Sequence, residues 1–564
     1  MNHPCLVTLE KDSAPRVLFS GDRLIEVDLP VGTRVIYPKP PIEPLKDVNA
    51  AIRYAINHPL GTEPLYAKLR PGMKVTIAVD DISLPLPPMR RPDVRERVLE
   101  IVLELLADHG VDDVEIVIAT GIHRRMKANE VRHMVGDRIF DRFWPERLYN
   151  HDAEDKDNLV VIGETAHGEV LELNRRVAES DLVVYVNINF VPMNGGFKSM
   201  AVGLCSYRSL RPHHNPMSIR GSDSYMDPPR SQLATDIGRM GKLAHEKLDV
   251  FTIETTLDNR MFDKSLDFLA KNEDDLTARE RALLKALVVS TGKLPQPARQ
   301  AIFDRFPAPY GLVGVTAGAT AAVHEKTVQK NFEQYLVPID RQADVLVLPI
   351  PYISPYNVHA FLNPLLVQVL AQGYLFNFYR GAPLVKKGGT VIITHPCTDK
   401  FDHEQHASYI DFVHRLLPET RDAVKLRDRY EEKFATDPAF IQMYRSGHAY
   451  HPAHPFFMWY WGENGRQHIG RVIVVGSDNE YIPKLLGWET APNMDDALYR
   501  AKNGEARSLE ITLLHVPPVV MGDMKIPVNG SGSNGGGTGA RGTRHEPQQR
   551  KRQAQAARSR PRAR

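Results

Sequence analysis

Cysteine is scarce in this chain: Cys5, Cys205 and Cys397 are the only three among 564 residues. So few scattered thiols build neither a disulfide framework nor a thiolate zinc site. No apolar run approaches the roughly 18 residues that a membrane helix needs. The opening "MNHPCLVTLEKDSAP" has no basic-then-apolar leader pattern. No membrane partner is expected, and the expected location is the reducing cytoplasm. The chain also lacks a dominant charge, with a formal net of +2, yet residues 541–564 carry nine Lys/Arg against one Glu. That tail, at +8, leaves a mildly acidic body of about −6. From about residue 526 there are no aromatics and no aliphatic pattern, which predicts a disordered basic extension. Weak contacts with phosphates are all it offers nucleic acid, because it brings no folded reader. No repeat at a solenoid period is present.

What is present is an alternation of strands and helices. Buried-strand runs stand at "KVTIAVDD" (74–81), "VEIVIATG" (114–121), "LVVIGET" (159–165) and "DLVVYVNINF" (181–190), the kind found in parallel sheets. Between the first two, Val94, Val98, Ile101, Val102 and Leu105 recur at helical spacing, with Asp93 as N-cap and Gly110 as stop. Residues 220–340 read as a helical insertion and connection. Strand runs resume at "ADVLVLPIP" (343–351), "GGTVIITHP" (388–396), "GRVIVVGSD" (470–478) and "SLEITLLHVP" (508–517). The expected fold is α/β: two α/β domains with parallel-rich sheets and a cleft between them. The expected boundaries are 1–300 for the first domain with its insertion from about 220, 301–342 for the connection, 343–525 for the second domain and 526–564 for the tail.

Ligands of open α/β sheets collect at the carboxyl ends of strands. There the chain places Asp80 and Asp81, then His123 with Arg124 and Arg125 in "ATGIHRRM", then "NINFVPMNGGFKS" with Gly195, Gly196 and Lys198. Carboxylates, an imidazole and a lysine suit an anionic substrate that undergoes proton transfer. The Gly-Gly-Phe-Lys loop lacks the spacing of a P-loop. His213-His214 alone reads as a surface pair. "DHEQH" (402–406) reads as a solvated helix start, and "HPAHPFFMWYWG" (451–462) as domain-interface packing, the alternative being that Trp459 or Trp461 covers a cofactor.

Taken in order, "VDDISLPLP", "VEIVIATGIHRRM" and "GGFKSMAVGLCSY…HHN" resemble the motifs of the nickel-dependent lactate racemase family over roughly residues 20–220. The resemblance implies an isomerase that racemises or epimerises a 2-hydroxy acid by hydride transfer through a 2-keto acid. It implies a nickel-pincer nucleotide (pyridinium-3,5-bisthiocarboxylic acid mononucleotide nickel) linked to Lys198 in the first domain. Gly195, Gly196 and Asp80 then bind the cofactor, and His214, sixteen residues beyond the lysine, holds nickel. His123 and Asp81 are the implied acid/base groups. The implied partners are the small-molecule substrate and the cofactor-synthesis proteins.

Departures accompany the matches. The frame of the family's second catalytic histidine lands on Ile188, between Asn187 and Asn189. The frame of its substrate-binding arginine lands on Leu84, and that of a proline on Val202. Arg90, Arg91, Arg124 and Arg125 are the candidate replacements for the arginine. In "PYISPYNVHAF", Tyr356 and His359 stand where a Gln and a Lys are expected, and His359 is the candidate second base. The expectation is a divergent member whose substrate is not plain lactate. The alternative is a member that binds nucleotide or nickel without racemisation.

Overall fold

The computed structural model describes residues 3–304, 307–504 and 508–525; the basic tail lies outside them. Six strands form the first sheet, in the order Leu312–Gly318, Val250–Leu257, Leu182–Asn189, Lys74–Asp80, Asp113–Ala119 and Leu148–Asn150. All neighbours are parallel except the first pair. Alternate side chains enter opposite cores: Ile77 and Val79 pack on one face, Ala78 on the other. Helix Val94–Asp108 crosses between the strands at 74 and 113, capped by Asp93, which accepts the Arg95 amide at 2.9 Å. Asp93 also grips the Arg95 guanidinium at 2.9 and 2.8 Å, and that guanidinium donates to the carbonyl of Asp81 at 2.6 Å. One helix start thereby fixes the strand end that carries the aspartates.

The second sheet has nine strands. Ala343–Pro351, Val385–Thr394, Arg471–Val475 and Ile511–Leu514 form its parallel centre. Its other members come partly from the start of the chain: Arg34–Ile36 pairs in parallel with Ile511–Leu514, and Arg16–Gly21 with Ala343–Pro351.

Two stretches differ from their sequence reading. "LVVIGET" forms strand Leu159–Glu164, but in an antiparallel hairpin with Val170–Asn174 rather than in the parallel sheet. Val161 is exposed there, so the run is covered on one face only. Residues 220–340 hold helices Gln232–Lys247, Ala278–Lys293 and Thr320–Tyr335, and also the buried strands Val250–Leu257 and Leu312–Gly318. No helix among the described residues is long and apolar enough to cross a membrane.

Candidate functional site

The strands ending at Asn189, Asp80 and Ala119 are adjacent, and their register sets Asp80 opposite Ala119. Asp80, Asp81, His123 and the loop after Asn189 therefore converge at one sheet edge. Asp81 is buried, and its Oδ2 lies 2.8 Å from His123 Nδ1. Its Oδ1 accepts the Ser83 amide at 3.0 Å and the Ser83 hydroxyl at 2.5 Å. Burial works to raise the Asp81 pKa, but His123 and Ser83 prevail and hold it below the usual carboxylate range. An ionised Asp81 accepts only, so the His123 Nδ1–H donates to it and Nε2 is left as the basic nitrogen. Asp80 differs. Burial pushes it up to about 7, against the Ile188 amide at 2.7 Å and the Asn187 side chain at 2.7 Å, both of which donate to its Oδ2.

The double glycine is a tight turn with φ +80° at Gly195 and +64° at Gly196, where L side chains are strained. A Cβ on Gly195 would lie 2.5 Å from Glu254 Oε1, and one on Gly196 would meet the ring of His324 at 2.7 Å. The Gly196 amide donates to Glu254 Oε1 at 2.6 Å. This amide, expected to approach a phosphate, is occupied by a buried carboxylate. Glu254 comes from strand Val250–Leu257, a signal missed in the sequence because polar and threonine positions interrupt its apolar pattern. The turn delivers Lys198 to the first position of helix Lys198–Gly203. Burial lowers the Lys198 amine to about 8, against the pull of Asp80 and Asp81.

His213 and His214 are not a surface pair. Both are buried, and their Nδ1 atoms lie 2.7 Å apart. Burial holds His213 down to about 4, and holds His214 well below the ordinary imidazole value with help from His213, Lys198 and His123. Both rings are neutral at pH 7. His214 Nδ1 is engaged by its neighbour, so Nε2 is the nitrogen available to a ligand.

Lys198, His214 and His123 line one cavity of about 180 Å³. Its walls include residues that follow strands of both sheets, among them Tyr356 and Val516. A neighbouring cavity of about 240 Å³ shares Lys198, His214, Met193 and Trp461, and runs past Gly195 to Ser231 and Thr235 at the start of helix Gln232–Lys247. Trp461 comes from the aromatic run at 451–462. Trp459 is buried elsewhere, with its Nε1–H donating to the Arg421 carbonyl at 3.1 Å.

Other sequence candidates lie apart. His359 is exposed at φ +60° and does not line the cavity. Ile188 is buried, and Asn189 is enclosed by Asn194, Glu254 and Asn331. Arg90 pairs with Asp263, Arg91 with Asp137 and Arg124 with Glu130. None of these arginines lines the cavity, nor does Arg125. In the 402–406 stretch, His403 is exposed, whereas His406 is buried and its Nε2–H donates to the Tyr356 carbonyl at 2.8 Å. The sequence reading also passed over Tyr374, whose hydroxyl meets that of Tyr356 at 2.8 Å in the cavity wall. It lies in a π-helical turn, Val369–Tyr374, a distortion frequent at functional sites.

Residues 20–226 match the lactate racemase N-terminal domain. The lactate racemase of Thermoanaerobacterium thermosaccharolyticum is 27% identical over 172 residues, 29% of this chain and 37% of that protein. The lactate racemase of Lactiplantibacillus plantarum is 24% identical over 202 residues, 35% of this chain and 42% of that protein. The aligned sequence thus spans about two fifths of these relatives' length. The fold extends further: the lactate racemase apoprotein structure from T. thermosaccharolyticum superposes with a TM-score of 0.58 at 19% identity, covering 90% of this chain and 100% of that one. Residues 20–226 are thus similar to the lactate racemase N-terminal domain, and the fold as a whole is similar to that of the lactate racemase apoprotein.

Proposed function

We propose that this protein is a racemase or epimerase of a 2-hydroxy acid other than plain lactate, working with a nickel-pincer nucleotide attached to Lys198. The observation that carries this reading is the convergence of Lys198, His214 and His123 on one cavity. The donor set fits such a group. Among the described residues no three His, Cys, Asp or Glu side chains are grouped to hold a metal. A metal here therefore needs ligands supplied by an organic partner, plus one neutral imidazole, which His214 offers. The cavity beside Lys198, with Ser231 and Thr235 at a helix start, gives that partner room. When bound, the group would accept a hydride from the substrate carbon and return it.

The chain's own side chains supply the rest. Lys198, with its amine at about 8, is partly unprotonated near neutral pH and so can be acylated. His123 Nε2 takes the substrate hydroxyl proton as hydride leaves, and the Asp81 carboxylate stabilises the imidazolium that results. The 2-keto acid formed is planar, and hydride return to its other face inverts the centre. The walls of both sheets keep water from the intermediate. Loading requires cofactor-synthesis proteins as partners. Three buried, free cysteines accord with a cytoplasmic setting.

A second reading is favoured by one observation: His123 and His214 are the only histidines among the described residues lining the cavity, so no second imidazole serves the opposite face. In that reading the protein binds the nucleotide without racemising. Co-expression with the cofactor-making enzymes separates the two. Nickel together with an added mass on Lys198, and loss of optical activity in a chiral 2-hydroxy acid, is the expected result. Absence of both nickel and added mass overturns the nickel-nucleotide reading; a loaded protein that leaves every acid optically active supports the second reading.

A further inference from the structure

Three wall groups of the 180 Å³ cavity carry ionisable nitrogen, His123, Lys198 and His214, and they cluster: the charges of both Lys198 and His123 act on the His214 ring. The remaining walls are of another kind. Leu84, Leu86, Phe190, Met226, Met261 and Phe378 are among them, Ser83 and Asn194 add two small polar groups, and no Asp, Glu or Arg is among the described lining residues. The hydroxyls of Tyr356 and Tyr374 lie 2.8 Å apart, so one donates to the other.

We infer that the cavity selects a 2-hydroxy acid whose substituent is large and apolar, aromatic above all, and rejects polyhydroxy and dicarboxylic acids. The assignment rests on the racemase reading for the reacting end of the molecule; the substituent is argued from the walls alone. An apolar cavity of roughly 150 Å³ holds a benzene, so a cavity of about 180 Å³ is more than a methyl substituent would fill. A sugar acid would set several hydroxyls against leucine, methionine and phenylalanine. Each hydroxyl left without a partner weakens binding by about tenfold. A second carboxylate would meet no guanidinium, because no Arg lines the cavity and Arg90, Arg91 and Arg124 are paired elsewhere. Methionine walls adapt to a flat ring and make favourable sulfur–aromatic contacts. Leu84, standing where the family resemblance expects an arginine, is the residue that turns the wall apolar. It is half-buried, so it tolerates exchange.

The test measures binding to the full chain of 3-phenyllactate and mandelate, with lactate, malate and gluconate as comparators. Quenching of Trp461, itself in the wall, and the rise in Tm are the two readouts. The aryl acids are expected to bind at least tenfold tighter than any comparator. Leu84→Arg is expected to lose that preference, and Leu84→Met, with a melting curve matching the parent, to keep it. Malate or gluconate binding as tightly as the aryl acids overturns the inference, as does a folded Leu84→Arg with its aryl affinity unchanged. If the nickel-loaded protein binds aryl acids but inverts none, the racemase reading fails and the pocket assignment stands. If it inverts gluconate and leaves the aryl acids alone, the pocket assignment fails and the racemase reading stands.

Discussion

His213 and His214 share one hydrogen bond between Nδ1 atoms, so one ring donates and the other accepts. For His214 to present a lone pair at Nε2, its proton must sit on Nδ1 and be given to His213. His213 is then the group that sets the tautomer and the plane of its neighbour, the part that outer hydrogen bonds play for metal-bound imidazoles. His213→Phe keeps the ring volume and removes the acceptor. It is expected to lower nickel affinity about 10- to 100-fold, with an unchanged mass on Lys198 and an unchanged melting curve. Metal analysis and intact mass on the same sample check this; nickel retained at the parent level would reduce His213 to a packing residue. The sixteen-residue spacing from Lys198 pointed to His214, but nothing in the sequence separated His213 from a solvated neighbour. Burial by helices distant in the chain made that distinction.

At the scale of elements, the turn at Gly195-Gly196 is held by a strand sixty residues away. Gly195→Ala combines a left-handed φ with a Cβ 2.5 Å from Glu254 Oε1 and 2.7 Å from Asn187 Oδ1. Gly32, at φ +87°, has open space around its Cβ position. Gly32→Ala is therefore expected to cost only the backbone strain, about 1 kcal/mol, and Gly195→Ala at least about 3 kcal/mol by urea denaturation. Equal losses would show that Glu254 moves aside freely. The aliphatic strands, and helix Val94–Asp108 with its Asp93 cap, were legible because periodicity and capping are local. "VFTIETTL" was not legible: Thr252, Glu254 and Thr256 are buried by partners across the sheet, which no local pattern records. "LVVIGET" carried the aliphatic signal of a central strand and became a hairpin, since composition does not say how many faces are covered. Lys198, His123 and His214, singled out in the sequence by the family resemblance, line one cavity. His359, near Tyr356 in the sequence, is exposed at φ +60° and does not line that cavity. The apolar walls come from many separate segments and left no motif.

The whole molecule is tied together by a buried charge network. The Arg16 guanidinium lies 3.3 Å from Glu273 Oε2 and 2.9 Å from Asp274, Tyr37 donates to Glu273 at 2.6 Å, and His515 lies 3.2 Å from its Oε1. Burial alone would raise Glu273, but His515, Tyr37 and the Val17 amide bring it down to about 2. A carboxylate lowered in the folded state stabilises the fold fully above its unfolded value of about 4.3, and that contribution is lost as pH falls towards 2. Melting temperature is expected to drop across this window in the parent and to drop less in Glu273→Gln. The variant is also expected to be weaker at pH 7 by about 1 to 3 kcal/mol, since Arg16 keeps Asp274 but the contacts of Glu273 with Arg16, Tyr37 and His515 lose their charge. Parallel curves for the two proteins would remove Glu273 from the acid response.

The pairing of Arg34–Ile36 with Ile511–Leu514 has a consequence for synthesis on the ribosome. Every strand of the first sheet lies within residues 74–318, whereas Arg16–Gly21 and Arg34–Ile36, each paired locally on one edge, wait on the other edge for partners made more than three hundred residues later. Until then they emerge with unpaired edges, the condition that invites wrong pairing. The ladder of Arg34–Ile36 with Ile511–Leu514 is also the one with the greatest sequence separation, and closure of this kind is slow. A nascent chain stalled before residue 511 would therefore carry a finished first sheet and a start that still needs a chaperone's cover.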